Sequence, residues 1–194
     1  MRLLLPIALP IAILGCCLAA APTLTFAQDA KPAGPPVGSA VPPAQIYDKL
    51  LSGMEKEFVD AAEAMPEDKY NFAPPASAGE FKGVRTFAEQ IKHVASANEY
   101  FFHDPATPLV DDRADFDKLK TKAEIVARLK ASFAQAHAYI ATITPENAFI
   151  MTKSGTRAGM AAFGIAHFMD HYGQLVEYLR MNGIVPPASR GTGM

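Results

Sequence analysis

The chain has 194 residues, of which 49% are hydrophobic and 20% charged, so its composition is that of a globular protein rather than a disordered one. Its 20 acidic and 18 basic residues give a net charge of −2, which argues against nucleic-acid binding through a basic face. Both cysteines, Cys16 and Cys17, lie in the first apolar stretch. If that stretch is cleaved off, the remaining protein has no cysteine. Disulfides, zinc–thiolate sites and a cysteine nucleophile are then all excluded.

The N-terminal residues 1–27 are predicted to be a secretory signal peptide. Arg2 supplies a positive start, an apolar run extends from Leu3 to Ala21, and Thr25-Phe26-Ala27 forms a small-residue junction. Cleavage after Ala27 would give an exported protein, periplasmic or extracellular, with no stable membrane span after processing. A lipoprotein modified at Cys16 and a retained N-terminal anchor are the less favoured alternatives.

Residues 28–44 are rich in proline, alanine and glycine and contain almost nothing that a core could bury. This composition predicts a flexible linker. The folded domain is therefore predicted to cover residues 45–190, a length that suits one hydrophobic core.

Four segments of this domain carry apolar residues at spacings of three and four, which predicts four helices. The first begins near Ile46 and stops before Pro66. The second and third each begin with a capping box, in which a threonine hydroxyl and a glutamate side chain satisfy free backbone amides. The boxes run from Thr86 to Glu89 and from Thr121 to Glu124, and the helices end by Pro105 and Pro145. The predicted apolar faces are Ile46, Leu50, Met54, Phe58, Ala61 and Met65; Phe87, Ile91, Val94, Asn98 and Phe101; and Val126, Leu129, Phe133, Ala136 and Ile140.

The fourth helix is predicted from about Ala158 to Asn182. Gly183 follows and can adopt the left-handed conformation that ends helices, and Pro186-Pro187 prevents continuation. The polar side of this helix consists of Asp170, Gly173, Glu177 and Arg180. Since no segment alternates with a period of two for long enough to predict a strand, the expected fold is all-α, a four-helix bundle.

Histidine is the residue type best suited to chemistry in this chain. His167 and His171 are four residues apart on the last helix, so their side chains lie on one face and could bind one metal ion. His93, in the middle of the second helix, is a candidate third ligand, although its position alone does not decide this. His103 is better explained as a helix C-terminal cap, and His137 as a partly buried surface side chain.

The segment from His167 to Pro187, with its H-x-x-x-H motif, resembles the last helix and tail of the DinB-like superfamily. The first half is similar too, in Met65-Pro66, Tyr70-Asn71-Phe72 and Arg85-Thr86-Phe87 leading to His93. The resemblance covers residues from about 45 to 190. It implies a four-helix bundle that binds one divalent metal ion through His93, His167 and His171. Where many relatives have acidic residues, this chain has Phe168 and Asp170, so only Asp170 keeps the charge.

Three nitrogen ligands would leave one coordination position open, which is typical of catalytic zinc sites. Imidazole binds several divalent transition metals, and Zn, Ni and Fe are the candidates here. The sequence does not determine which of them is bound. A di-iron bundle would need Glu-x-x-His pairs and c-type haem would need C-x-x-C-H, and neither motif is available in the processed chain.

Two functional hypotheses follow for this site. In the first, the protein is a metal-dependent enzyme, either a hydrolase or a thiol S-transferase, as the resemblance implies, acting on an unidentified small molecule. In the second, it is a non-catalytic metal-binding or interaction protein. Glu99 and Asp170 are weak candidates for a general base, so the catalytic residues are left unassigned. No nucleic-acid partner is expected, and a homodimer is one possibility because relatives commonly dimerise.

Overall fold

The computed structural model describes residues 34–106 and 113–191. The predicted signal peptide, residues 1–27, and the first part of the predicted linker, residues 28–33, lie outside these ranges. Residues 34–42 contain no helix or strand, and the first helix begins at Pro43, two residues before the predicted start of the domain. Within the described ranges, no helix is both long enough and apolar enough to span a membrane.

The described residues form the four predicted long helices and a shorter fifth one. Two short strands form an antiparallel hairpin, and three single 3-10 turns lie in the connections. The helices are α1 (Pro43–Ala64), α2 (Phe87–Phe101), α3 (Arg113–Lys118), α4 (Lys122–Ala141) and α5 (Arg157–Met181), and the strands are β1 (Met151–Thr152) and β2 (Gly155–Thr156). The 3-10 turns are Glu67–Lys69, Ala76–Ala78 and Pro187–Ser189.

The four long helices pack in the cyclic order α1, α4, α2, α5. Helix α1 contacts α4 and α5, and α2 also contacts α4 and α5. The first two helices in the chain are therefore on opposite sides of the bundle, joined by the long connection of residues 65–86. The all-α four-helix bundle is confirmed, and it makes α2 and α5 direct neighbours.

The predicted helix ends are also confirmed. Thr86 accepts a hydrogen bond from the amide of Glu89, whose carboxylate accepts one from the Thr86 amide, and Thr121 and Glu124 form the same reciprocal pair. Gly183 adopts a φ of 73° after α5. The amides of the two residues that follow Asn182 return to carbonyls of the last helical turn, so α5 ends where the sequence predicted.

The core lies between the apolar faces of the four long helices. Phe58, Phe133 and Phe168 meet edge to face at its centre and are fully buried. The predicted apolar faces of α2 and α4 are buried or half-buried. The predicted face of α1 is wrong at its start, because Ile46 and Leu50 are 45% and 44% exposed while Leu51 is fully buried in their place.

Helix α3 and the hairpin were not expected from the sequence. Each strand has only two residues, which is too short for an alternating pattern to show. The hairpin places Thr156 directly before α5, where its hydroxyl accepts a hydrogen bond from the Gly159 amide at 3.0 Å. This contact caps the helix that carries two of the candidate ligands.

Candidate metal centre

The three candidate histidines come together where α2 packs against α5. His93 lies near the middle of α2, and His167 and His171 lie one turn apart on α5. One ring nitrogen from each lies within 4.8 Å of the other two. The Nε2 atoms of His93 and His167 are 3.2 Å apart. This arrangement could hold a metal ion.

A close approach of the two helices makes this juxtaposition possible. Gly164 is buried one turn before His167, and a Cβ atom built on it would lie 2.7 Å from Cζ of Phe102 and 3.0 Å from Cβ of Phe101. A larger residue at this position would push α5 away from α2. The absence of a side chain at Gly164 therefore helps to bring His93 within reach of the pair on α5.

The pKa values of all three imidazoles are lowered, so the rings are uncharged at neutral pH. Burial lowers the pKa of His93 to about 4, and the charges of Arg85 and His167 act in the same direction. Burial, and then the charges of His167 and His93, lowers the pKa of His171 to about 4. Burial also lowers the pKa of His167, against the opposing charge of Asp170. Neutral imidazole is the form that binds metal ions.

The donor set and its spacing fit a divalent transition metal. Imidazole nitrogens bound to tetrahedral zinc at about 2.0–2.1 Å are about 3.3 Å from one another. The 3.2 Å between the Nε2 atoms of His93 and His167 matches this separation. Nδ1 of His167 is buried and has no hydrogen-bond partner among the described residues. Because Nε2 is the nitrogen of His167 that faces His93, Nδ1 would not bind the same ion.

One polar neighbour of the cluster escaped the sequence analysis. Gln90 lies on the same face of α2 as His93, one turn earlier, and is only 2% exposed. Its Oε1 atom is 2.6 Å from Nδ1 of His171. A glutamine at a core-facing position of an apolar helix was the available signal, since a buried amide needs hydrogen-bond partners.

Aromatic side chains border the centre on the His167 side. The Phe101 ring lies 5.3 Å from the His167 ring and 5.2 Å from the rings of both Tyr100 and Phe163. Tyr100 is 50% exposed and Phe163 61%. We call Tyr100, Phe101 and Phe163 the aromatic rim. It offers an apolar surface to solvent beside the three-histidine group.

The remaining histidines lie elsewhere. His103 follows the end of α2 and is not part of the three-histidine group. His137 is partly buried on α4, with Nδ1 2.6 Å from Asp48 and Nε2 2.8 Å from Glu55, both on α1. His137 is thus a partly buried surface side chain, as expected.

The acidic candidates are engaged in other contacts. Glu99 forms an ion pair with Arg128 of α4 at 2.7 Å. Asp170 is exposed and accepts a hydrogen bond from Gln174. Phe168, the neighbour of His167, is fully buried in the core. The geometry therefore assigns no general base.

Comparison with known proteins identifies the family. The family model of the DinB superfamily matches residues 50–175, a range that includes all three site histidines. The chain belongs to the DinB superfamily. The resemblance inferred from the motifs is thus confirmed over most of the predicted domain.

A solved structure has a similar fold. It is that of a candidate member of the DinB family from Exiguobacterium sibiricum 255-15, with 19% sequence identity and a TM-score of 0.55. The similarity covers 72% of this chain and 91% of the other. At this identity the likeness concerns the fold alone. No curated protein matches this DinB superfamily member.

Proposed function

We propose that this DinB superfamily member is an exported metal-dependent enzyme whose centre is held by His93, His167 and His171. The observation that carries the proposal is the grouping of three imidazoles with nitrogens within 4.8 Å, on two helices of a bundle. The lowered pKa values keep these rings in the ligating form. Three ligands leave a coordination position for water or substrate, unlike a closed structural site.

A divalent ion bound here would supply Lewis-acid activation of a water molecule or of a substrate thiol. Hydrolysis and thiol S-transfer are the two reaction classes that we propose. The protein's own contribution is to present three neutral imidazole ligands and to let substrate reach the ion from one side only. His171 is 6% exposed, whereas His93 and His167 are only half-buried, so substrate would approach from the side of the latter two.

Two neighbouring features favour particular substrates. The Arg85 charge is close enough to lower the pKa of all three histidines. Its backbone is held in place by Tyr178, whose hydroxyl donates to the Arg85 carbonyl at 3.0 Å. This charge would stabilise an anionic group on the substrate or in the transition state. The aromatic rim would pack against an apolar part of the same molecule.

The test is elemental analysis of residues 28–194, purified without a polyhistidine tag, alongside single alanine variants. We expect about one equivalent of a transition metal per chain in the parent protein. His93→Ala, His167→Ala and His171→Ala should each lose it, whereas His137→Ala should retain it because His137 contacts only α1 carboxylates through its ring nitrogens.

Equal metal loss in all four variants would contradict the ligand assignment. A parent protein that cannot be loaded with Zn, Ni or Fe would contradict metal binding altogether. A loaded protein that turns over neither ester and amide substrates nor thiol and electrophile pairs would favour the non-catalytic metal-binding alternative.

A further inference from the structure

A chain of side-chain hydrogen bonds leads from the surface of α5 to the buried histidine of the centre. Nδ1 of His171 is 2.6 Å from Oε1 of Gln90. Nε2 of Gln90 donates to Oε1 of Gln174 at 2.6 Å. Nε2 of Gln174 donates to Oδ2 of Asp170 at 3.2 Å. The continuous path runs from His171 on α5 to Gln90 on α2 and back to Gln174 and Asp170 on α5.

The donor-to-acceptor direction of the hydrogen bonds along this path is fixed by Asp170 at its exposed end. An ionised carboxylate only accepts hydrogen bonds, so the Gln174 amide must turn its NH2 group toward Asp170 and its oxygen toward Gln90. Gln90 must then present its NH2 group to Gln174 and its oxygen to His171. An amide oxygen accepts but does not donate. Nδ1 of His171 therefore carries the hydrogen.

A neutral imidazole has one N–H and one lone pair, so a hydrogen on Nδ1 leaves the lone pair on Nε2. Gln90 is 2% exposed and His171 is 6% exposed, so solvent does not compete for this contact. The hydrogen bond also restrains rotation of the ring. His171 is thereby held in one tautomer and one orientation before any ligand arrives.

We propose that Gln90 is a positioning residue that holds His171 as an Nε2 metal ligand, and that Gln174 and Asp170 orient the Gln90 amide. This inference rests on the metal-binding function proposed above. Partners of this kind orient the ligands of metal sites, and their loss typically weakens metal affinity about 10–100-fold. Nδ1 of His167, by contrast, has no hydrogen-bond partner in the described parts of the chain. Of the two candidate ligands on α5, His171 is therefore the one whose ring is oriented by a hydrogen bond at Nδ1.

The experiment combines two readouts on the same variants. Nitrogen NMR shifts report which ring nitrogen of His171 is protonated in the metal-free protein, and competition with a chromophoric chelator gives the affinity for Zn²⁺. Gln90→Leu removes both hydrogen bonds at nearly constant size. Gln90→Glu keeps an acceptor for the Nδ1 hydrogen. Ser132→Ala is the matched control, because it removes a buried α2–α4 hydrogen bond from Asn98 that lies outside the path.

We expect the parent protein to show the Nδ1–H tautomer. Gln90→Leu should show a mixture of tautomers and about 10–100-fold weaker Zn²⁺ binding. Gln90→Glu should restore both readouts, and Ser132→Ala should change neither even where it lowers the melting temperature. If Gln90→Leu does not fold, a variant at the partly buried Gln174 provides the test. Gln174→Ala should shift the tautomer distribution of His171 in the same direction.

Three results would overturn the inference: an Nε2–H tautomer in the parent protein, unchanged tautomer and affinity in Gln90→Leu, or an affinity loss in Gln90→Leu that Gln90→Glu does not restore. Failure of the proposed function is distinguishable from all three. In that case the parent protein shows the Nδ1–H tautomer and still binds no Zn²⁺, which would contradict the metal centre itself.

Discussion

Gly164 of α5 lies against the ring of Phe102, the first residue after α2, so closely that a Cβ atom at Gly164 would be 2.7 Å from Cζ and 2.8 Å from Cε2 of that ring. Phe102 is 1% exposed and cannot move away without disturbing the core. Since His167 follows Gly164 by one helical turn, the same contact governs the spacing between the candidate ligands on the two helices.

Gly164→Ala should therefore destabilise the protein by about 1–3 kcal/mol, because overpacking outweighs the better helix propensity of alanine. Gly173→Ala on the same helix is the control. Apart from the adjacent helix backbone, no atom of the described residues lies within 4 Å of a Cβ built at Gly173, so this variant should gain about 0.5–1 kcal/mol. Urea unfolding measures both. Gly164→Ala should also bind metal more weakly, and a variant with unchanged stability and affinity would show that the close approach is unimportant.

The two capping boxes should each contribute to stability. Thr86→Ala and Thr121→Ala each remove the hydroxyl that accepts an amide hydrogen bond at 3.2 Å, and each should lower the free energy of unfolding by about 1 kcal/mol. Thr86→Ser and Thr121→Ser keep the hydroxyl, so their free energy of unfolding should decrease much less. If the alanine and serine variants unfold at the same urea concentration, the boxes do not stabilise these helices.

The His137 contacts predict a pH-dependent term in stability. Burial by itself lowers the pKa of His137, but the hydrogen bonds to Glu55 and Asp48 outweigh it, and the net effect is a raised pKa. Both ring nitrogens face a carboxylate, so the charged ring donates to both. A raised folded-state pKa stabilises the protein fully below the unfolded value of about 6.5, and the contribution is lost as pH rises through the folded pKa.

The free energy of unfolding of the parent protein relative to His137→Gln should thus decrease as the pH rises from about 6.5 through the raised folded-state pKa of His137. The change should not exceed about 1 kcal/mol, because the ring is partly exposed to solvent. Chemical denaturation of both proteins across this range measures it. A difference that is constant or grows with pH would contradict the ion-pair interpretation.

The proposed export predicts a defined mature N-terminus. Expression of the full chain in a secreting host should yield protein that begins at Gln28, as measured by intact mass and N-terminal sequencing. A mass that corresponds to a chain starting at Met1 would indicate a retained segment. A lipid-modified N-terminal Cys16 would instead indicate a lipoprotein.

Much of the candidate site was accessible from the sequence because its signals are local. The four-residue spacing of His167 and His171 places them on one helix face whatever surrounds the helix. The family motifs added His93, and the structure brings it beside the pair. Gln90 was missed because its partner is 81 positions away, and no periodic pattern reports a hydrogen bond between two helices.

The sequence by itself determined the four long helices, their caps and the pair on the last helix, because hydrophobic periodicity, capping residues and proline stops act within a few turns. Only the tertiary structure decided that α2 and α5 are neighbours, which α1 residues are buried, and that Gln90 contacts His171. These features depend on which helix faces meet. Which faces meet depends on close contacts between residues that are far apart in sequence, such as the contact between Gly164 and Phe102.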